Sequence, residues 1–133
     1  MNRPRVSSGS PYEASIGFCR ALRSGNRIIV SGTAPVEPDG SSTPGDAEAQ
    51  AERCLAIIVA AIESLGGGAE DVVRTRMFLT DPADAEKVGR AHGRWFGDVR
   101  PASTMIAGAV LLRPEWRVEI EAEAEIPATG ETA

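Results

Sequence analysis

Histidine is nearly missing: the 133-residue chain has one. That excludes mechanisms that need several, a histidine-rich zinc site among them. Its two cysteines, Cys19 and Cys54, stand far apart with no C-x-x-C spacing, so neither metal nor thiol redox chemistry is signalled. Each has apolar neighbours and reads as a small buried hydrophobe. Positive charge is short as well. Fourteen basic residues against nineteen acidic ones leave a net charge of −5, and no basic patch carries interleaved aromatics. Nucleic acid is thereby excluded as the main partner, because phosphate-backbone binding runs on clustered cations. No long apolar run occurs: the longest, residues 55–62, is far too short to cross a bilayer. Residues 1–10 are polar and lack the apolar stretch of a signal peptide. The chain reads as cytoplasmic, with no membrane partner.

What is present is the composition of an ordinary globular domain, 42% hydrophobic and 25% charged. The length fits one domain over residues 1–133, with a core over about residues 11–126 and flexible ends at 1–10 and 127–133. Residues 20–23 and 27–31 are short strands parted by Ser24-Gly25-Asn26, a hairpin signal. Ile28-Ile29-Val30 suits a strand buried on both faces. Asp46 is a good N-cap for a helix whose apolar stripe is Ala51, Cys54, Leu55, Ile58, Ile62 and Leu65, at spacings of three and four. Gly66-Gly67-Gly68 ends it. Residues 72–80 form the next strand. Asp81-Pro82 starts a second helix with the stripe Ala85, Val88, His92, Trp95 and Phe96. Residues 104–112 and 117–126 are the final strands. The order β-β-α-β-α-β-β predicts an α+β two-layer sandwich, a mixed sheet with both helices on one face.

Two helices cover only one face of such a sheet; the other is solvated or buried against another subunit. On the last strand Arg117, Glu119, Glu121, Glu123 and Glu125 alternate with Val118, Ile120, Ala122, Ala124 and Ile126. On the third, Arg74 and Arg76 share a face with Val72 and Phe78. One face therefore carries arginines on one strand and glutamates on another. Either they form cross-strand ion pairs, each worth well under about 1 kcal/mol, or some line a cleft for a small charged ligand.

A set of segments then carries a resemblance: Ser10-Pro11-Tyr12, Val30-Ser31-Gly32-Thr33, Gly45-Asp46 with Gln50, Asp71-Val72-Val73-Arg74-Thr75, Phe78-Leu79-Thr80-Asp81, Trp95-Phe96-Gly97, Arg100-Pro101-Ala102 and Val118-Glu119-Ile120-Glu121-Ala122. Their joint occurrence, in order over residues 11–124, resembles the Rid family (RidA/YjgF-like reactive intermediate deaminases, also labelled endoribonuclease L-PSP). The resemblance implies a chorismate-mutase-like fold and a homotrimer with ligand clefts between subunits. It also implies hydrolysis of small enamines and imines such as 2-aminoacrylate, with no metal and no organic cofactor. Tyr12 matches the family tyrosine that closes the cleft, Gly32 the glycine whose backbone lines it, and Glu119 the last-strand glutamate that handles water. Ser103 stands where the family places a carboxylate-binding arginine, and Met105 where a cysteine is common. A neutral hydroxyl in place of a charged fork costs about 1–3 kcal/mol of carboxylate affinity. The sequence therefore looks like an arginine-lacking branch, distinct from the standard 2-aminoacrylate deaminase. Its alternative is a small-molecule-binding or interaction trimer without catalysis.

Arg76 is the candidate to replace the missing charge, its other reading being a cross-strand partner for the glutamates. Arg20, Arg100 and Arg117 are further candidates to supply that charge, behind Arg76. His92 is either a partly buried, hydrogen-bonded core histidine or a substrate contact suited to proton exchange. Trp95 and Phe96 read as core.

Overall fold

Asp46 caps its helix as expected: the carboxylate accepts from the Ala49 N–H at 3.1 Å. The helix α1 (Ala47–Ser64) buries Ala51, Cys54, Leu55, Ile58 and Ile62 on one stripe. It ends at glycines of which Gly66 is left-handed, φ +95°. The structure is a computed structural model and describes residues 2–128; most of the tail expected to fray, from residue 129 on, lies outside the described residues. Among the described residues six strands form one sheet: β1 (Arg5–Val6), β2 (Ala21–Ser24), β3 (Arg27–Thr33), β4 (Val72–Leu79), β5 (Ala102–Ile106) and β6 (Val118–Glu125). Their spatial order is β1-β2-β3-β6-β4-β5, with β4 and β5 parallel and every other pair antiparallel. The second helix, α2 (Ala85–Phe96), lies on α1 after a tight turn at Pro82–Asp84 that Asp81 caps. The fold is the expected α+β sandwich.

The core lies between the helices and the inward faces of β3, β4 and β6, where Ile28, Val30, Met77, Leu79, Val118, Ile120, Ala122 and Ala124 are buried. The alternation on β6 holds residue by residue. Gly25 takes a left-handed φ of +62° in the two-residue turn between β2 and β3, a conformation that favours glycine. Cys54 is fully buried, and burial pushes its thiol far above the usual range. Cys19 is half-buried, its thiol donating to the Ala21 carbonyl.

Four local expectations change. Arg5–Val6, in a segment expected to be flexible, pairs with Leu22 and Ala21 as a sixth strand. An extra residue on β4 between Val72 and Arg74 turns Val72 to the core and leaves Val73 exposed, because a bulge resets the two-residue alternation. Ile29 is 39% exposed on the face the helices leave open, so within one chain its strand is buried on one side. The strand expected at 104–112 is β5, ending at Ile106. Beyond it Gly108 is left-handed, and Val110 and Leu112 stand 98% and 92% exposed on a loop. That loop is tied back where Trp116 donates to Ser42 Oγ at 2.9 Å and buried Gln50 donates to the Glu115 carbonyl at 3.0 Å. Phe96 is core; Trp95 is only partly buried, its indole N–H enclosed without an acceptor among the described residues.

Among the described residues no helix is long and apolar enough to cross a membrane.

Candidate functional site

A second bulge builds the first part of the site. Between Val30 and Thr33 strand β3 spends one residue more than β6 does between Ala122 and Ile120. This irregularity presents the Gly32 backbone to Glu119. A methyl group on Gly32 would sit 2.5 Å from Glu119 Oε2, so the carboxyl occupies the space a side chain would take. Burial pushes the Glu119 pKa above the usual carboxylate value; the Arg20 guanidinium offsets part of this, and the Glu121 carboxylate adds to it. Arg20 Nη1 donates to the Gly32 carbonyl at 2.9 Å and to Thr33 Oγ1 at 2.8 Å, bracing the bulge beneath the carboxyl. A carboxyl so placed exchanges protons closer to neutrality than a solvated one. Gly32→Ala is expected to drive the carboxyl outward and return its titration toward the ordinary value. Side-chain carbon resonances followed against pH measure this; an unmoved titration means that Gly32 does not position Glu119.

The second part lies on the opposite face. Register pairs Thr75 with both Ser103 and Ala122, and Phe78 with Glu119, so Ser103 faces the helices while Glu119 faces away. Thr75 donates to Ser103 Oγ at 2.8 Å, and His92 Nε2 lies 2.8 Å from Thr75 Oγ1. The imidazole is half-buried, 4.9 Å from the Phe96 ring, and burial lowers its pKa. His92 is thus hydrogen-bonded at the core edge and connected to Ser103 at once. One chain brings Gly32 and Glu119 together, and separately Ser103 and His92; it does not join the two pairs.

Arg76 meets Glu121 across the open face, Nη1 to Oε1 at 2.9 Å, and Arg27 lies 3.4 Å from Glu123. The guanidinium that acts on Glu119 is Arg20. Tyr12 is 63% exposed at the start of a wide turn over Glu13–Gly17. Among the described residues it forms no hydrogen bond to Gly32, Ser103 or Glu119. Among them, too, no three His, Cys, Asp or Glu side chains converge as metal ligands would.

The sequence profile of the endoribonuclease L-PSP family matches residues 9–126. The chain belongs to this family, the RidA/YjgF-like proteins. An uncharacterized member from Streptomyces coelicolor is 40% identical over 120 residues, covering 90% of each chain. The 2-iminobutanoate/2-iminopropanoate deaminase of Escherichia coli is 33% identical over 126 residues, 92% of this chain and 96% of that one. A crystal structure of a YjgF/YER057c/UK114 family member from Mycobacterium tuberculosis superposes with a TM-score of 0.83 at 38% identity, covering 94% of this chain and all of that one.

At this RidA/YjgF-like site sequence reasoning misses Thr75, and it names Arg20 as a candidate cation without its partner. Arg20 sits in the first hairpin, and nothing in its neighbourhood points to a glutamate ninety-nine positions later. Thr75 did leave a signal: it is the one hydroxyl among inward-facing Met77 and Leu79 on β4, and an inward polar residue demands a partner.

Proposed function

We propose that the protein is a cytoplasmic homotrimeric hydrolase acting on a small imine or enamine at clefts between its subunits. The observation that carries the reading is the Glu119 carboxyl, half-buried against the bare Gly32 backbone with its pKa raised by burial. Such a group takes a proton from an attacking water and returns it to a leaving nitrogen. The name of the Escherichia coli relative supports the imine as substrate class. Two features support assembly. The open sheet face carries exposed Ile29, and the edge strand β5 exposes Met105 and Ile106, apolar surface that association covers. Ser103 and Glu119 also face opposite ways within one chain, so a neighbouring copy is what brings such groups to one cleft. Tyr12, on an exposed turn, closes that cleft. Ser103 offers no charge for a carboxylate, and Arg76 is already paired with Glu121, so the preferred substrate is a polar imine not held by a carboxylate clamp. Neither a metal nor an organic cofactor enters this chemistry, and nucleic acid is not the partner.

The test is ammonia release from a panel of imines formed in situ, with and without a carboxylate, run beside sedimentation equilibrium. Expected are a three-chain mass and release from at least one imine, with carboxylate-bearing imines no better than neutral ones. Tight binding of the panel without release favours the binding trimer instead. A monomer that releases nothing defeats both.

A further inference from the structure

The Ser103 side of the sheet holds chemistry that Glu119 does not use. Thr75 is 0% exposed, yet it carries a hydroxyl where its strand neighbours on that face are apolar. An aliphatic side chain would pack there without desolvating an oxygen. Both partners of the hydroxyl lie at 2.8 Å, His92 Nε2 on α2 on one side and Ser103 Oγ on β5 on the other. Ser103 belongs to a strand exposed along its whole length. The three groups form an unbroken line from a half-buried imidazole to a solvent-facing hydroxyl. In the structure Thr75 donates to Ser103; rotation of the two hydroxyls reverses the line, so that Ser103 donates to Thr75 and Thr75 to an Nε2 that carries no proton.

The surroundings leave the imidazole free to do so. The charged residues of α2 nearest the ring in sequence, Arg90 and Arg94, are engaged by Glu48 and Glu52 of α1. Arg74 and Arg76 of β4 lie on the other face of the sheet. The Phe96 ring is apolar, and burial alone favours the neutral ring.

We infer that Ser103, Thr75 and His92 form a proton relay, with the Ser103 hydroxyl meeting the substrate and His92 as the base behind it. The inference rests on the hydrolytic reading above. For a protonated imine, water adds to the C=N carbon as the π electrons move to nitrogen, and Glu119 takes the water proton, leaving a neutral carbinolamine. Glu119 returns that proton to the amine nitrogen, and the C–N bond breaks with its electrons leaving on ammonia. As the carbonyl forms, the carbinolamine O–H proton passes to Ser103 Oγ, the serine's own proton to Thr75 Oγ1, and that of Thr75 to His92 Nε2. A carbonyl, ammonia and an imidazolium result, and the imidazolium releases its proton to solvent. Ser103 is the catalytic group here; Thr75 and His92 act through it.

The chain has one histidine, so its imidazole resonances identify themselves in the full-length protein. A relay predicts that Ser103→Ala, which does not touch the ring, moves the His92 titration midpoint by about half a pH unit, the scale of one hydrogen bond's net worth. Thr75→Val moves it at least as far, and Thr75→Ser restores it. A His92 titration unchanged in Ser103→Ala overturns the relay, because Thr75 then serves only to anchor the ring. With an imine that the wild type hydrolyses, Ser103→Ala and Thr75→Val are expected to lower kcat by about 10²-fold and to shift its pH profile, with Thr75→Ser recovering both. An unshifted profile overturns the relay and leaves hydrolysis standing. A wild type that hydrolyses none of the panel defeats the hydrolytic reading itself, and the relay's catalytic role with it, even where the His92 couplings are present.

Discussion

For the hydrolase and trimer proposed above, Glu119→Gln is expected to abolish turnover while leaving the assembly intact. Glutamine keeps the length and shape that fit over Gly32 but exchanges no proton near neutrality. The loss is that of general acid–base catalysis, about 10²- to 10⁴-fold in kcat. Sedimentation equilibrium on the same sample must still give the wild-type mass. Full activity in the variant sinks the assignment, and dissociation shows Glu119 to be an assembly residue. Stability adds an independent readout whose sign runs against intuition. The folded-state pKa of Glu119 stands above its ordinary 4.5 because burial penalises the charge. Between the two values the native state binds more protons than the unfolded chain, so this group's contribution to stability declines as pH rises through that window and stays low above it. Glutamine carries no such penalty. The difference in Tm between variant and wild type should therefore grow in the variant's favour from about pH 4.5 upward and then level off. A variant less stable than wild type at neutral pH would mean that the Arg20–Glu119 attraction outweighs the desolvation.

The second large effect is on the fold. Phe96→Ala should cost about 3–5 kcal/mol, the range for emptying a buried aromatic site, and lower Tm on the order of 10–20 °C. Phe96 is 1% exposed at the end of α2, and its carbonyl accepts from Val99 and Arg100 as the chain turns toward β5. Arg100 makes that turn in the left-handed region, φ +56°, a conformation costly for a residue with a Cβ. The turn hangs on the Phe96 carbonyl, so loss of the ring's packing is expected to loosen it. The same truncation opens the space beside His92, 4.9 Å away, so the imidazole pKa should rise toward its ordinary 6.5. Thermal unfolding and the His92 titration read the two effects on one sample. A loss below about 1 kcal/mol would show that α2 is held elsewhere, by its contacts with α1.

Much of this was legible from local pattern. The stripe of α1 and the alternation on β6 follow from helix and strand periods of 3.6 and 2, and both hold in the structure. The apolar run beyond Ile106 misled. Its residues suit a strand, but left-handed Gly108 breaks the extended backbone, and the Ala109 N–H turns to the Leu79 carbonyl. A period-2 count puts Val72 on the wrong face, because it cannot see an inserted residue and the bulge is defined only against β6. Glu119 differs from Glu121 and Glu123 by lying over a glycine. Within its own strand the three are equivalent, and only the family resemblance separated it from them.

Local pattern settles the layers: which residues form helices, which alternate along strands, and that one sheet face carries opposed rows of arginine and glutamate. Those outcomes depend on neighbours a few positions away, where backbone geometry fixes side-chain direction. Which charges and hydroxyls meet was decided only by the tertiary structure. Arg20 beneath the bulge that carries Gly32, and Thr75 between Ser103 and His92, join groups 12, 28 and 17 residues apart. Such meetings depend on strand register, and register is set by bulges and by the packing of α2 on the sheet, which no local period encodes.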